Sequence, residues 1–197
     1  MRKILTLGFA LALCTSALFA DDTKKSDADK EKAMMEAWMK ASTPGDAHKK
    51  LDNMVGTWDV TVKSWMAPGQ PPMESTGTAV NQWVLGNRWM EEKFTGSFMG
   101  MPFQGIGYTG YDNIKKQYVG TWMDNMSTAV MVSSGKGGSG NTYEFTSTMD
   151  DMMTGKPATI TEKVTFTDAD HHTMEMWGPG PDGKVYKSME ITYSRKK

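Results

Sequence analysis

The side chains of this chain that most clearly could do chemistry are the thioethers of methionine. Methionine accounts for 19 of the 197 residues, and several methionines occur in groups. These groups are Met99 with Met101, Met123 with Met126, Met149 with Met152 and Met153, and Met174 with Met176. Methionine fills irregular apolar interiors and adaptable binding surfaces. Its soft sulfur also suits Cu(I), and its reversible oxidation can consume oxidants.

Met174 and Met176 lie two residues apart in a segment with strand-like alternation. Side chains at this spacing point to the same face of a strand, so the two thioethers could chelate a metal ion or line an interior together. We interpret the methionines mainly as the lining of a core or cavity. A Cu(I) or Ag(I) site is the alternative, and no definite metal ligand set is predicted.

Three of the seven tryptophans, Trp58, Trp83 and Trp122, lie in predicted strands. Large aromatic walls suit apolar or planar ligands, but tryptophan is also commonly buried as core. Trp58 begins the first strand directly after a short helix, and we expect it mainly as a structural residue at the floor of the fold.

Glu162 is the acidic residue with the most apolar surroundings. Ile160 and Val164 are its neighbours on the same strand face, so an inward carboxyl group could orient the polar head of a ligand or act as an acid or base. A register shift of one residue would place it outside. Tyr108 is a second candidate for orienting a ligand.

Catalysis finds little support in the sequence. The serines lack a nucleophile-elbow context, and the glycine-rich run 135–140 lacks the spacing and the following helix of a phosphate loop. His171 and His172 are adjacent in a strand and point to opposite faces, so they cannot both bind the same haem or metal ion. We therefore predict no enzyme activity, no catalytic residue and no cofactor.

The predicted binding residues combine thioethers, aromatic rings and one carboxyl group. They are Trp58, Trp83, Met90, Tyr108, Trp122, Phe145, Glu162, Met174, Met176 and Met189.

These residues lie on about ten predicted strands, spaced by roughly ten residues and separated by turns, a pattern typical of a sandwich or barrel. Short connections favour an up-and-down meander, and closure removes exposed strand edges. We therefore predict an all-β protein, a closed antiparallel up-and-down barrel of about ten strands. Its interior would be wide enough for a cavity. Two short helices, at 30–42 and 46–54, are predicted before the first strand.

The N-terminal region has the pattern of a signal peptide over residues 1–20. Arg2 and Lys3 precede an apolar stretch too short to span a bilayer. Cleavage after Ala17 is an alternative. Lipidation at Cys14 is disfavoured because bulky Leu13 precedes it, where a lipoprotein signal has a small residue. Residues 21–33 are predicted to be a disordered lead-in, and 34–197 a single domain.

Charge excludes some classes of partner. Removal of Arg2 and Lys3 leaves 20 basic against 23 acidic residues, a net charge of −3. Nucleic-acid binding needs a clustered basic excess, so it is not expected. No integral membrane segment is expected after signal removal, and the sequence defines no oligomeric state.

Several motifs are similar to those of an exported bacterial family, domain of unknown function 1579. They are His48-Lys-Lys-Leu, Met54-Val-Gly-Thr-Trp58, Trp65 with Pro68-Gly-Gln-Pro71, Gly105-Ile-Gly-Tyr-Thr-Gly-Tyr-Asp-Asn113, Thr121-Trp-Met-Asp124, and Lys187-Ser-Met-Glu-Ile-Thr-Tyr-Ser-Arg195. The resemblance extends from about residue 45 to the end and implies no established activity. At the level of fold the chain resembles the calycin group, which includes lipocalins, fatty-acid-binding proteins and nitrobindin-type haem barrels.

Together these observations predict an exported, periplasmic barrel that binds a small apolar or amphipathic molecule in its cavity. The alternatives are a periplasmic Cu(I)- or Ag(I)-binding protein and a ligandless barrel that acts as a structural or interaction partner.

Overall fold

The computed structural model describes residues 16–137, 140–151 and 154–197. The chain forms two compact units, divided between Ser42 and Thr43. In the first unit, α1 runs from Ser16 to Ser42 as one continuous helix. No helix in the described ranges is long and apolar enough to cross a membrane.

Helix α1 differs from the predicted lead-in, because residues 21–33 are helical rather than disordered. Residues 21–33 include four Lys, two Ala and one Glu, which have high intrinsic helix propensity. It lacks the apolar periodicity from which a helix is usually predicted. Most of the predicted signal peptide, residues 1–15, lies outside the described residues, so the signal peptide stays a prediction.

The second unit begins with a short helical segment, as predicted. Helix α2 spans Asp46–Lys49 and continues as a 3₁₀ turn over Lys50–Met54. At its start the Gly45 N–H donates to Nδ1 of His48, at 3.2 Å. Burial lowers the pKa of His48, which keeps its ring neutral and able to accept this bond.

Ten strands follow, each antiparallel to its neighbours. They are β1 Gly56–Ser64, β2 Met73–Val84, β3 Trp89–Phe98, β4 Met101–Asp112, β5 Gln117–Asp124, β6 Met131–Gly135, β7 Thr142–Asp150, β8 Pro157–Phe166, β9 His171–Pro179 and β10 Val185–Arg195. Each strand pairs with the next along the chain, and β10 pairs with β1 to close the barrel. The predicted fold class is confirmed.

The seam between β1 and β10 is continuous. Its register runs from Trp58 opposite Arg195 to Ser64 opposite Met189. Because both edge strands are paired along this seam, the sheet has no open edge there. The barrel interior is therefore bounded on all sides by strands, and access to it depends on the two ends.

One end of the barrel is closed by the 46–54 segment, which we call the floor. Leu51 is fully buried and packs with Met54 against aromatic rings of the wall. Polar groups anchor the floor backbone: the Tyr118 hydroxyl donates to Ala47 O at 3.1 Å, and the Tyr143 hydroxyl donates to Lys50 O at 2.9 Å. The floor is thus held by both apolar packing and directed hydrogen bonds.

Arg195 joins the end of β10 to the floor. Its guanidinium donates to Val55 O at 2.7 Å and to Asn53 O at 3.1 Å. The same group lies over the ring of Trp58, 4.1 Å from the centroid, where a cation is attracted by the aromatic face. This arrangement fixes the point where the chain enters and leaves the barrel.

Candidate ligand-binding site

The barrel encloses a cavity of about 600 Å³ above the floor, and residues of all ten strands line it. This volume lies within the range of about 300–1,000 Å³ that is usual for small-molecule sites. The cavity extends to the end opposite the floor, where Met126, Ser127, Asp150 and Asp151 belong to its lining. The barrel can therefore accommodate a small molecule.

Thioethers form much of the cavity wall. The methionines that line it are Met54, Met90, Met126, Met131, Met149, Met174, Met176 and Met189. Met176 and Met189 are direct register partners on β9 and β10, and Met174 lies two residues along β9. These flexible, polarisable side chains can adapt to ligands of different shape.

Aromatic rings complete the apolar wall. Phe94, Phe98, Phe103, Trp122, Phe145 and Tyr193 line the cavity. The indole N–H of Trp122 donates to Asp124 Oδ2, at 3.1 Å, which satisfies its polar atom. A side chain at Gly105 would collide with the Trp122 ring, so the glycine of β4 leaves the space that this ring occupies.

Five polar residues line the largely apolar part of the cavity nearer the floor. This group, which we call the polar cluster, consists of Asn81, Glu92, Glu162, His172 and Tyr193, and all five line the cavity. Asn81 and Glu92 are register partners on β2 and β3, and the Tyr193 hydroxyl donates to Glu92 Oε1 at 3.5 Å. Asn81 also donates to Met54 O of the floor, at 3.0 Å.

Glu162 is the most isolated member of the polar cluster. It is 5% exposed and its register partners are Phe145 and Met176. Its Oε1 is buried and has no hydrogen-bond partner within the described ranges. Burial raises the pKa of Glu162 to about 7, because the charged form is disfavoured away from water.

Glu92 is the second carboxyl group of the cluster. Its removal from bulk water raises its pKa to about 7, although Asn81 and Tyr193 beside it act in the opposite direction. Burial also raises the pKa of Tyr193, and the negative charges of Glu92 and Glu162 add to this effect. Tyr193 therefore stays protonated and able to donate to a carboxylate.

His172 is held between aromatic rings. Its ring stacks on Tyr193 and Phe166, with centroid distances of 4.2 and 4.8 Å, and meets Trp58 edge-on at 4.5 Å. Burial, with a smaller effect of Arg195, lowers the pKa of His172 to about 3, so the ring is neutral. Its neighbour His171 is exposed and contacts Asp168 at 2.9 Å. The two imidazoles face opposite sides of the sheet, as expected.

The charged groups of the cavity are all acidic. Glu92, Asp124, Asp150, Asp151 and Glu162 line it, whereas no described lysine or arginine does. Over the described residues there is no group of three or more His, Cys, Asp or Glu side chains that could hold a metal ion. The lining thus combines an apolar wall with negative charge.

Seven of the ten predicted site residues line the cavity: Met90, Trp122, Phe145, Glu162, Met174, Met176 and Met189. Trp58, Trp83 and Tyr108 lie elsewhere. Trp58 is fully buried beside the floor and donates to Met54 O at 2.9 Å. Trp83 donates to Asp52 Oδ1 at 2.7 Å.

The sequence predicts that Tyr108 orients a ligand, but in the structure its hydroxyl donates to Glu91 Oε1 at 3.0 Å. Glu91 in turn contacts Lys93, a half-exposed residue, at 2.9 Å. The inward positions of β4 are the odd-numbered ones, which include Phe103 and Gly107. Side chains alternate along a strand, so Tyr108 points to the outer wall.

Asn81, Glu92 and Tyr193 line the cavity but are not among the site residues that the sequence predicts. The signal was present for Glu92, because Met90, Glu92 and Phe94 alternate on one face of β3. The adjacent Glu91 hides this alternation, because two consecutive acidic residues usually indicate a solvent-exposed segment. The roles of Asn81 and Tyr193 depend on partners on other strands and have no local signature.

The chain was compared with protein families, with curated protein sequences and with solved structures. The sequence profile of a family described as "Protein of unknown function (DUF1579)" matches residues 43–195. The comparison with curated protein sequences gives no significant match.

Among solved structures, Rv2717c from M. tuberculosis is similar, with 12% identity and a TM-score of 0.57, over 79% of this chain and 100% of that one. The S-type phycobiliprotein lyase CPES from Guillardia theta is similar with 13% identity and a TM-score of 0.55, over 81% and 96% of the two chains. At these identities the likeness shows a shared calycin-like barrel fold.

Proposed function

The chain belongs to the DUF1579 family of proteins of unknown function, and we propose that its barrel reversibly binds a small apolar or amphipathic molecule. The observation that carries this proposal is the cavity of about 600 Å³, walled by methionine and aromatic side chains with a few buried polar groups. Such a combination is what small-molecule sites generally present.

The proposed mechanism is desolvation followed by orientation. Each Å² of apolar ligand surface removed from water contributes about 25 cal/mol, and the thioether wall can adjust to the ligand's outline. The polar cluster would then fix one end of the ligand, because buried polar groups favour a pose that satisfies them. The volume of the cavity argues against the ligandless barrel, whose interior would be filled by its own side chains.

We propose binding rather than catalysis. The similar barrel from Guillardia theta is named as a lyase, and a shared fold supports either role. In the polar cluster, Tyr193 is a poor proton donor at neutral pH and His172 is a poor base, because their pKa values are shifted away from neutrality. Glu92 and Glu162, with pKa values raised to about 7, could exchange protons, but Glu162 Oε1 has no hydrogen-bond partner among the described residues, so binding is the role that we propose. The site of action that fits the sequence is the periplasm, reached through the signal peptide predicted over residues 1–20.

Native mass spectrometry tests this proposal most directly. The protein would be purified from its native host under non-denaturing conditions, and any additional mass would be identified after extraction. We expect a small organic molecule that leaves on denaturation. An unliganded mass, together with no measurable binding of a panel of fatty acids, fatty amines, fatty alcohols and haem, would refute the proposal.

A second candidate is the binding of Cu(I) or Ag(I) by thioethers. The specific observation in its favour is the contiguity of Met174, Met176 and Met189 on neighbouring strands. Thioether sulfur selects soft ions. A competition titration with a chromophoric Cu(I) chelator distinguishes the two. If the thioethers bind Cu(I), the double variant Met174→Leu/Met176→Leu should lose its Cu(I) affinity. If the barrel instead binds apolar molecules, the same variant should retain that binding.

A further inference from the structure

The polar cluster contains buried acceptor atoms that the described chain leaves unsatisfied. They are Glu162 Oε1 and Asn81 Oδ1, in residues that are 5% and 3% exposed. A buried polar atom without a partner carries a free-energy cost, and native structures contain few of them. These atoms lie on side chains that line the cavity, so a ligand with hydrogen-bond donors would satisfy them.

The charge of the lining restricts the ligand further. Two carboxyl groups, Glu92 and Glu162, lie among apolar side chains, and three more, Asp124, Asp150 and Asp151, belong to the same lining. No described Lys or Arg residue lines the cavity to pair with an anion. A carboxylate or phosphate head would therefore meet repulsion at low dielectric, whereas a cation would be attracted.

Resting on the function proposed above, we propose that the cavity selects amphiphiles with a positively charged amine head. The head donates hydrogen bonds to the Glu162 carboxylate, and the apolar body lies against the methionine and aromatic wall. An ammonium group has three N–H donors and no acceptor, which complements the unsatisfied Glu162 Oε1. A hydroxyl head offers one donor and no charge, and a carboxylate head offers no donor.

Glu162 is the member of the cluster that fits this role best. Glu92 already accepts from Tyr193 at 3.5 Å, whereas the nearest register partners of Glu162 are Phe145 and Met176. Without a ligand, burial favours the neutral form of Glu162, whose pKa is raised to about 7. A bound ammonium would favour the carboxylate, so the ligand would replace the proton.

The test compares three ligands with the same alkyl chain: decylamine, decanol and decanoate. Each is titrated against the purified full barrel by displacement of the uncharged apolar dye N-phenylnaphthylamine. The matched variants are Glu162→Gln in the cavity and Glu144→Gln, an exposed residue of β7 that faces Lys163 in register. Circular dichroism confirms that each variant is folded.

We expect decylamine to bind wild-type protein and Glu144→Gln roughly tenfold or more tightly than decanol, since a hydrogen bond to a charged group has about this value. Decanoate should bind most weakly. Glu162→Gln should lose the preference for decylamine and keep its affinity for decanol.

The possible failures are separable. If neither the dye nor any of the three ligands binds wild-type protein, the proposed function itself fails. If decanol or decanoate binds wild-type protein as tightly as decylamine, binding stands and the amine preference is refuted. This comparison needs no variant and decides the matter even if Glu162→Gln does not fold. An unchanged preference in a folded Glu162→Gln protein would refute the assignment to this carboxyl group.

Discussion

At the level of single residues, Glu162 is one of two cavity carboxyl groups, with Glu92, whose pKa raised to about 7 makes the stability of this barrel depend on pH. The Glu162 carboxyl group is buried between Phe145 and Met176, and its pKa is raised from 4.5 to about 7. A folded-state pKa above that of the unfolded chain means that folding favours the protonated form. The contribution to stability is therefore complete below about pH 4.5 and is lost as the pH rises through about 7.

We accordingly expect Glu162→Gln to stabilise the unliganded protein at alkaline pH. The neutral amide avoids the burial of a charge, and the shift in pKa from 4.5 to about 7 corresponds to a gain of about 3 kcal/mol at high pH. Urea unfolding at about pH 5 and about pH 9 measures the effect, which should be small at the lower pH. Equal effects at both pH values would show that Glu162 does not titrate with a raised pKa.

The residue scale also shows why only part of the site follows from the sequence. Strand alternation correctly places Glu162 and Met174 on the cavity side. It fails for Tyr108, because inward-facing glycines such as Gly105 and Gly107 give β4 no apolar side chain at those positions from which to read its inner face. Their role becomes visible only when the Trp122 ring of β5 is seen against them.

At the level of elements, Arg195 connects the last strand to the floor. Its guanidinium donates to the carbonyl oxygens of Val55, Asn53 and Ala169 and covers the Trp58 ring. These carbonyl groups belong to two chain segments, the end of the floor and the turn between β8 and β9, and Arg195 itself lies at the end of a third, β10. Sequence patterns give the helix and the strands individually, but not this junction, because it links residues far apart in the chain.

We expect Arg195→Ala to lower the free energy of unfolding by about 2–4 kcal/mol, since hydrogen bonds from a charged donor contribute about 1.5–3 kcal/mol each and are partly replaced by water. Lys196→Ala is the matched control. Lys196 is exposed and lies 3.7 Å from Asp59, and its loss should cost less than about 1 kcal/mol. Guanidinium unfolding followed by tryptophan fluorescence compares the two. Similar losses for both variants would contradict the junction role.

At the level of the whole molecule, closure of the sheet creates the space for a ligand. The alternation and turn signals predict strands locally, but the seam between β1 and β10 joins the two ends of the domain and has no local signal. The volume inside follows from the number of strands and from how far their inward side chains reach. Ten strands with many flexible methionines leave a cavity of about 600 Å³. The periodicity of the sequence does not predict this volume.

Filling part of this space should weaken binding without disturbing the outer wall. Ala158 lines the cavity, and its neighbour Thr159 is exposed on the opposite face of β8. We expect Ala158→Phe to weaken the binding of N-phenylnaphthylamine and of any native ligand by at least roughly tenfold, because the new ring occupies cavity volume. Thr159→Phe adds the same ring outside and should bind as the wild type does.

Fluorescence titration of both variants, each shown to be folded by circular dichroism, tests the expectation. Equal affinity in the two variants would place the bound molecule on the outer surface rather than inside the barrel.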